Sequence, residues 1–222
     1  GFNAIQDIQN PDLYANYSKE SILKLLKDMN EMNIDYKIIS IHWGDEFMNV
    51  PSLEQIQSAH KFIDKGADII VGHHPHVVQP VERYKNGLIF YSLGNFMFDM
   101  IWSKNVRRGL IVNVTLESGK DIKFNTVPIF IGKDYIPYRD IESNNYFYLR
   151  RKFKEISIFS EHSTTKYQKY YERKHKIALL YQRIMMKIFL LCHLNKLSNL
   201  TIRIILKYMI TKMKFNRKYR IE

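Results

Sequence analysis

Two short runs of mainly β-branched residues, "YKIISIHWG" and "DIIVG", flank the segment "PSLEQIQSAHKFIDKGAD", residues 51–68. This segment predicts an amphipathic helix, because Pro51 suits a helix start, Gly66 suits a helix end, and apolar residues recur on one face. Those apolar positions are Leu53, Ile56, Ala59, Phe62 and Ile63. The order of strand, helix and strand predicts a βαβ unit whose two strands pair in parallel.

The neighbouring segments predict one more helix and several strands. The segment "NYSKESILKLLKDMNEMN", residues 16–33, places apolar residues at helical spacing, with Ser18 or Ser21 near its start. Four strand-like runs follow the βαβ unit, at residues 77–84, 88–96, 109–118 and 121–131, and "KNG" and "SGKD" between them are typical hairpin signals. We therefore expect a β meander after the helices, and a sheet-rich α/β sandwich rather than a doubly wound fold.

Charge divides the chain into two parts. The net charge is +12, yet residues 1–140 contain 15 Lys and Arg against 17 Asp and Glu, whereas residues 141–222 contain 19 against 5. This asymmetry predicts a domain over residues 1–140 and a separate basic, mainly helical extension over residues 141–222.

The basic extension contains two amphipathic segments, "IALLYQRIMMKIFLLCHLNK" and "SNLTIRIILKYMITKMK". Their apolar stripe lies opposite basic residues, namely Lys187, Lys196, Arg203, Lys207 and Lys212. One interpretation is peripheral contact of residues 165–222 with an anionic membrane surface. Another is a helical bundle packed on the first domain or on itself. Nucleic-acid binding is disfavoured, because no recognised nucleic-acid motif is present.

Cysteine usage and hydropathy exclude some classes of protein. Cys192 is the single cysteine, so neither a disulfide framework nor a thiolate zinc site forms within the chain. No uninterrupted run of about 18 apolar residues occurs and no signal peptide is visible. We expect a location in the cytoplasm or at the surface of a membrane, without deciding between them.

Histidines follow both strands of the βαβ unit. His42 ends the first strand, and the turn "HHPH" after the second contains His73, His74 and His76. Because the carboxyl ends of parallel strands meet at one edge of a sheet, these side chains should line one crevice, joined by Asn95 and Asp99 after the next strand. Imidazoles suit Zn, Mn and Fe, and each ring needs an orienting partner for its second nitrogen. The candidate partners are Asp45, Glu46 and Glu82.

Structural interpretations of the same residues remain open. His42 by itself is typical of a strand end, Glu46 of a solvated carboxylate, and Asn95, after Gly94, of a turn. Trp43 and Phe47 are better suited to walls than to ligands. The remaining histidines are not expected to bind metal; they are His60, His162, His175 and His193.

Three segments together resemble a known bacterial family. "IISIHWGDEF", "QIQSAHKFIDKGADIIVGHHPHVVQPVERY" and "LIFYSLGNFMFD" are similar to the poly-gamma-glutamate capsule synthesis proteins of the CapA type, a branch of the calcineurin-like metallophosphoesterases. The resemblance implies the C-terminal half of a four-layer α/β/β/α sandwich. The earlier motifs of that family, including an Asp-containing first strand, do not occur before His42. We therefore expect the chain by itself to be inactive.

The resemblance also implies roles for individual residues. His42, His74 and His76 match metal ligands, and His73 is a possible proton donor or oxyanion stabiliser. Glu46 matches an acidic position without an assigned role, and Asn95 matches a site-shaping residue.

For the complete protein, the resemblance implies two divalent ions (Mn, Fe or Zn) that activate water for hydrolysis. The expected substrate is a phosphoester or an anionic polymer, in the setting of capsule synthesis with other polymer-synthesis components. The alternative is a non-enzymatic, membrane-associated assembly component.

Overall fold

The structure, a computed structural model, describes residues 2–3, 15–16, 18–32, 34–139 and 164–193. The chain divides into two compact units, residues 1–180 and residues 181–222. The sequence predicts a domain boundary near residue 140. Residues 140–163 lie outside the described part, so this boundary stays a prediction.

The described residues form nine strands and three helices. In chain order the elements are β1 (Phe2–Asn3), β2 (Ala15–Asn16), α1 (Lys19–Glu31), β3 (Ile38–His42), α2 (Leu53–Asp64), β4 (Ile69–His73), β5 (Val81–Tyr84), β6 (Gly87–Phe90), β7 (Arg108–Thr115), β8 (Lys123–Ile131), β9 (Pro137–Arg139) and α3 (Thr164–His193).

Both predicted N-terminal helices are confirmed, and serines cap them. The Ser18 hydroxyl accepts a hydrogen bond from the Ser21 amide at the start of α1. Ser52 and Gln55 form a reciprocal capping box at the start of α2, which satisfies two backbone amides that no helical carbonyl reaches. After α2 the chain turns at Gly66, whose φ of 101° is a conformation that glycine adopts readily.

A six-stranded sheet has the order β2-β1-β3-β4-β6-β5, and all neighbours pair in parallel except β5 with β6. The βαβ prediction is therefore confirmed, since β3 pairs in parallel with β4. Ile70 and Ile89 face one side of this sheet, whereas Ile69 and Leu88 face the other. Burial of both faces explains why these strands are continuously apolar instead of alternating.

The predicted meander is wrong as a single unit, because its strands divide between two sheets. The hairpin of β5 and β6 joins the six-stranded sheet, while β7, β8 and β9 form a separate antiparallel sheet. The reason lies in the run at residues 88–96, which ends its strand at Phe90 and continues as a loop toward the histidines.

Two hydrophobic clusters define three layers in the first unit. One cluster joins α1, α2 and the start of α3 to the six-stranded sheet; it includes Ile22, Leu26, Ile41, Phe62, Ile70, Tyr167 and Tyr171. The other joins the opposite face to the β7–β8 hairpin, with Phe90 edge-on to Phe124 at a centroid distance of 5.4 Å. The described residues thus form an α/β/β arrangement, in agreement with the predicted mixed α/β class.

Helix α3 begins at Thr164, earlier than the amphipathic pattern from residue 177 predicts. Its first turns look polar in sequence, yet Tyr167 and Tyr171 are buried four residues apart on one face. The second amphipathic segment, residues 198–214, lies outside the described residues, as do Lys196, Arg203, Lys207 and Lys212. None of the three described helices is long and apolar enough to cross a membrane.

Candidate metal centre

The candidate site lies at the carboxyl ends of β3 and β4. These strands are in register so that His42 is the partner of His73 at the last pair. The "HHPH" turn leaves the sheet directly after this pair, which brings all four residues to one edge. The position of the crevice predicted from the sequence therefore agrees with the described strands.

Two loops meet above this edge and are joined through their backbones. The Trp43 amide donates to the His73 carbonyl at 3.1 Å, and the Phe47 amide donates to the Pro75 carbonyl at 2.7 Å. His74 and His76 adopt positive φ angles of 97° and 57°. Such backbone conformations are costly for residues other than glycine and cluster at functional sites, where surrounding structure holds them in place.

The histidine rings form a row. The ring centroids of His42 and His74 are 4.6 Å apart, and those of His74 and His76 are 5.9 Å apart. His73 lies close enough that its charge would act on His42. The structure thus brings together the three predicted metal ligands and the predicted proton donor.

Burial keeps several of these rings neutral. It lowers the pKa of His74 to about 4, with repulsion from His42 adding to the effect and Glu46 opposing it. Burial also lowers the pKa of His42, and repulsion from His76 and His73 lowers it further. The pKa of His73 is likewise lowered by burial. At neutral pH these imidazoles are therefore uncharged and keep the lone pair that a metal ion requires.

Asn95 determines the tautomer of His76. The amide nitrogen of Asn95 donates to the Val106 carbonyl at 2.8 Å and lies 3.4 Å from the His76 carbonyl. These contacts fix the amide oxygen of Asn95 toward His76 Nδ1, 2.9 Å away. Since that oxygen only accepts, Nδ1 must carry the proton, and Nε2 is left with its lone pair. An orienting partner of this kind is what metal-binding histidines have.

The donor chemistry fits a divalent ion, although the side chains do not form a closed metal site. In the described part of the chain, no group of three or more His, Cys, Asp or Glu side chains is arranged to hold a metal ion. The neutral imidazoles of His42 and His74 and the oriented His76 are ligands of the type that Zn, Mn and Fe accept. A complete coordination shell needs rearranged rings or further ligands.

The three carboxylates proposed as orienting partners have different environments. Glu46 and Asp45 are near enough that their charges act on His74. Glu82 lies elsewhere, because its two oxygens accept from Tyr91 at 2.7 Å and contact His60 Nε2 at 3.1 Å. The suggestion that Glu82 orients a site histidine is therefore wrong. His60 stacks on Tyr84 at 3.7 Å, in keeping with a role outside the site.

Aromatic side chains surround the histidines. Trp43 is buried, and its indole nitrogen donates to the Tyr91 carbonyl at 3.0 Å. This hydrogen bond passes close to Gly72. A Cβ atom on Gly72 would lie 2.0 Å from that carbonyl, so only glycine fits there. Phe47 and Phe98 lie beside His76, with centroid distances of 6.3 and 4.9 Å. Phe47 thus lies against the histidines, whereas the Trp43 side chain stacks on Tyr91 in the hydrophobic core.

The sequence did not indicate two neighbours of the site. Phe98 lies in the segment after Asn95, and its apolar character alone gives no signal of a site. Tyr171 donates its hydroxyl hydrogen to Asp45 Oδ2 at 2.6 Å, although 126 residues separate the two. No spacing rule connects residues that far apart, and only the fold reveals this contact.

Comparison with known proteins supports a family relationship for the part of the chain that contains the histidines. Residues 3–100 match the family model of the bacterial capsule synthesis protein PGA_cap. A capsule biosynthesis protein CapA of Bacillus anthracis is 41% identical over 122 residues, which are 55% of this chain and 28% of the relative.

Other relatives carry similar names. A PGA biosynthesis protein CapA of Bacillus subtilis is 45% identical over 97 residues, which are 44% of this chain and 25% of that protein. A probable polyglutamine synthesis accessory protein of Mycobacterium tuberculosis is 34% identical over 65 residues, 29% of this chain and 17% of the relative. The chain spans about a quarter of the length of the CapA relatives it matches.

Proposed function

We propose that residues 3–100, which match the PGA_cap family model and the CapA relatives, are part of a CapA-type poly-gamma-glutamate capsule synthesis domain, and that their histidine cluster is a hydrolytic metal site serving capsule polymer synthesis. His42, His74 and His76 would hold the metal. Two ions, of Mn, Fe or Zn, would supply a water of lowered pKa and polarise a phosphoryl or acyl oxygen of the substrate. The substrate class is a phosphoester or an anionic polymer.

The orientation of His76 by Asn95 is the observation that carries this proposal. A histidine buried for packing alone does not need one particular nitrogen deprotonated. Here the amide oxygen of Asn95 holds the Nδ1 proton and leaves Nε2 as a donor atom beside two other neutral imidazoles. Desolvation of the adjacent His42 and His74 rings is unfavourable unless a ligand uses them.

The other residues have supporting roles in this proposal. The negative charge of Glu46 beside His74 favours a cation in the crevice. His73 is neutral near pH 7 and would act as a hydrogen-bonding or proton-transfer group toward the leaving oxygen. Phe47 and Phe98, beside His76, would limit the access of bulk water.

We further propose that the remaining metal ligands lie in sequence beyond the described residues, within a four-layer α/β/β/α sandwich. The described α/β/β layers and the quarter of the relatives' length that this chain spans are compatible with that arrangement. By this reasoning the complete domain, rather than these 222 residues, performs catalysis.

Elemental analysis of bound metal tests the proposal. About two ions should accompany the full-length gene product, fewer this 222-residue chain, and none a His74→Ala, His76→Ala variant of the full-length protein. A His60→Ala variant is the matched control, since it removes a half-buried histidine outside the site. A metal-free full-length product, or equal metal in the site variant and the control, would show that the histidines are structural.

A second candidate function, a membrane-associated assembly component, is favoured by the second unit. Along α3 the side chains of Tyr181, Ile184, Ile188 and Leu191 are exposed at alternating spacings of three and four residues, which places them on one face. Lys187 and Arg183 supply positive charge on the same helix. An apolar face with basic neighbours is what an interfacial helix requires.

Flotation with vesicles of phosphatidylserine and phosphatidylcholine tests this second function. The chain should float with anionic vesicles, and an Ile184→Ser, Ile188→Ser variant should not. Gln168→Ser, an exposed polar position on the same helix, is the control and should float. Equal recovery of the apolar variant and the control at the top of the gradient would exclude this face as the membrane contact.

A further inference from the structure

Helix α3 contacts the loop between β3 and α2 through two buried tyrosines. The Tyr171 hydroxyl donates to Asp45 Oδ2 at 2.6 Å, and the Tyr167 hydroxyl donates to the Pro51 carbonyl at 2.7 Å. Both tyrosine side chains are at most 5% exposed. Neither residue lies within the family match at residues 3–100, so this contact adds something that the match does not contain.

The loop held by these tyrosines forms one wall of the histidine site. It starts directly after His42, and its Phe47 amide donates to the Pro75 carbonyl of the "HHPH" turn at 2.7 Å. Asp45 lies between these two points, and its charge reaches His74. A constraint on Asp45 therefore restrains the segment that joins His42 to the turn carrying His74 and His76.

The two tyrosine hydroxyls donate to different groups of this wall. Tyr167 bonds a backbone carbonyl at the far end of the loop, next to the start of α2. Tyr171 bonds the Asp45 carboxylate itself, and burial together with that carboxylate raises the pKa of the Tyr171 hydroxyl, which therefore stays protonated and donates. A hydrogen bond to a charged acceptor is about twice as strong as one between neutral groups.

We propose that Tyr171 is a positioning residue of the histidine site: its hydroxyl holds Asp45 and so fixes residues 43–48 against the "HHPH" turn. The start of helix α3, residues 164–180, is then part of the site's support. The proposal concerns the placement of the loop and does not require a metal. Its expected effect on metal affinity rests on the proposed metal function.

Amide hydrogen exchange tests the placement of the loop without any metal. In the full 222-residue chain, Tyr171→Phe removes the hydroxyl and keeps the ring, so the Phe47 and Met48 amides should exchange about tenfold faster. Tyr167→Phe is the matched control, because it loses one hydroxyl from the same helix. Exchange at Phe47 and Met48 should stay within about twofold of the parent in this control. Equal acceleration in both variants, or none in Tyr171→Phe, would overturn the proposal.

An Asp45→Ala variant provides a second route that leaves the helix intact. Its effect on Phe47 exchange should equal that of Tyr171→Phe, and the double variant should show no further change, since both substitutions remove the same hydrogen bond. Additive effects would mean that the Tyr171 hydroxyl and the Asp45 carboxylate act on the loop independently, which would overturn the proposal. If Tyr171→Phe unfolds, Asp45→Ala alone tests the hydrogen bond: Phe47 should exchange about tenfold faster than in the parent, and an unchanged rate would overturn the proposal.

Manganese titration of the full-length gene product, followed by electron paramagnetic resonance, measures the consequence for the site. Tyr171→Phe should weaken Mn²⁺ binding about tenfold, as expected when support behind metal ligands is lost, and Tyr167→Phe should not. Exchange accelerated as expected in the 222-residue chain, with no Mn²⁺ binding by the full-length gene product, would refute the metal site and leave the role of Tyr171 in the loop supported. Binding weakened equally in both variants would refute the role of Tyr171.

Discussion

Asn95 controls which nitrogen of His76 carries the proton, and this is testable by replacing it. In Asn95→Ala the acceptor for Nδ1 is gone, so both neutral tautomers of His76 should populate, whereas the parent should show only Nδ1–H. Side-chain ¹⁵N chemical shifts at pH 8.5 measure this directly. Any metal affinity should fall about 10- to 100-fold. Asn113→Ala, which loses an exposed hydrogen bond to Asn125 in the second sheet, is the control and should leave His76 unchanged.

His74 makes the stability of the metal-free chain depend on pH. Its pKa is about 4 in the folded state against 6.5 for an unperturbed histidine. The unfolded chain therefore binds the proton first as pH falls, so stability is full above pH 6.5 and is lost progressively between pH 6.5 and 4. Between pH 7 and 4 the parent should lose about 2 kcal/mol more free energy of unfolding than His74→Gln, after allowing for solvent screening. Urea unfolding with a chelator present checks this, and equal losses in the two proteins would contradict it.

The contribution of the α2 capping box to the free energy of unfolding can be measured separately from that of the core. Ser52→Ala removes the acceptor for the Gln55 amide and loosens the return bond from the Ser52 amide to Gln55 Oε1, now 2.9 Å long. The free energy of unfolding should fall by about 1–2 kcal/mol. The matched variant Ser18→Ala loses a single, exposed cap on α1 and should cost less. An unchanged free energy of unfolding in Ser52→Ala, measured by urea unfolding, would mean that the box contributes nothing, and a larger loss from Ser18→Ala would contradict the expected order.

Among the elements, those with a strong local signal were predictable and those that depend on distant partners were not. The caps at Ser18 and Ser52 and the apolar faces of α1 and α2 are local, and both helices agree with the sequence. The loop after Phe90 was mistaken for strand, because its apolar residues read as a continuing run while the backbone turns toward the histidines. The start of α3 was missed since Tyr167 and Tyr171 are buried by residues more than 100 positions away.

At the scale of the molecule, the histidine cluster was predictable because parallel strands bring their carboxyl ends to one edge, whatever the rest of the fold. The contacts that surround the histidine cluster were not predictable from the sequence. The partner of His76 depends on how the loop after β6 returns across the sheet, and the partner of Asp45 comes from α3. The sequence therefore predicted which imidazoles lie together, and the structure identified the side chains that contact His76 and Asp45.

The start of α3 is integral to the first unit, which predicts unequal effects for two tyrosines on one helix. Tyr167 is 3% exposed and packs in the core with α2 and the six-stranded sheet, whereas Tyr181 is 44% exposed and belongs to the second unit. Tyr167→Ala should lower the free energy of unfolding by about 3–5 kcal/mol, through lost burial and a cavity. Tyr181→Ala should change it by less than about 0.5 kcal/mol. Fluorescence of the buried Trp43 during urea unfolding reports on the first unit. Similar midpoints for the two variants would mean that the first unit folds without the start of α3, and that the site's support from this helix is dispensable for the fold.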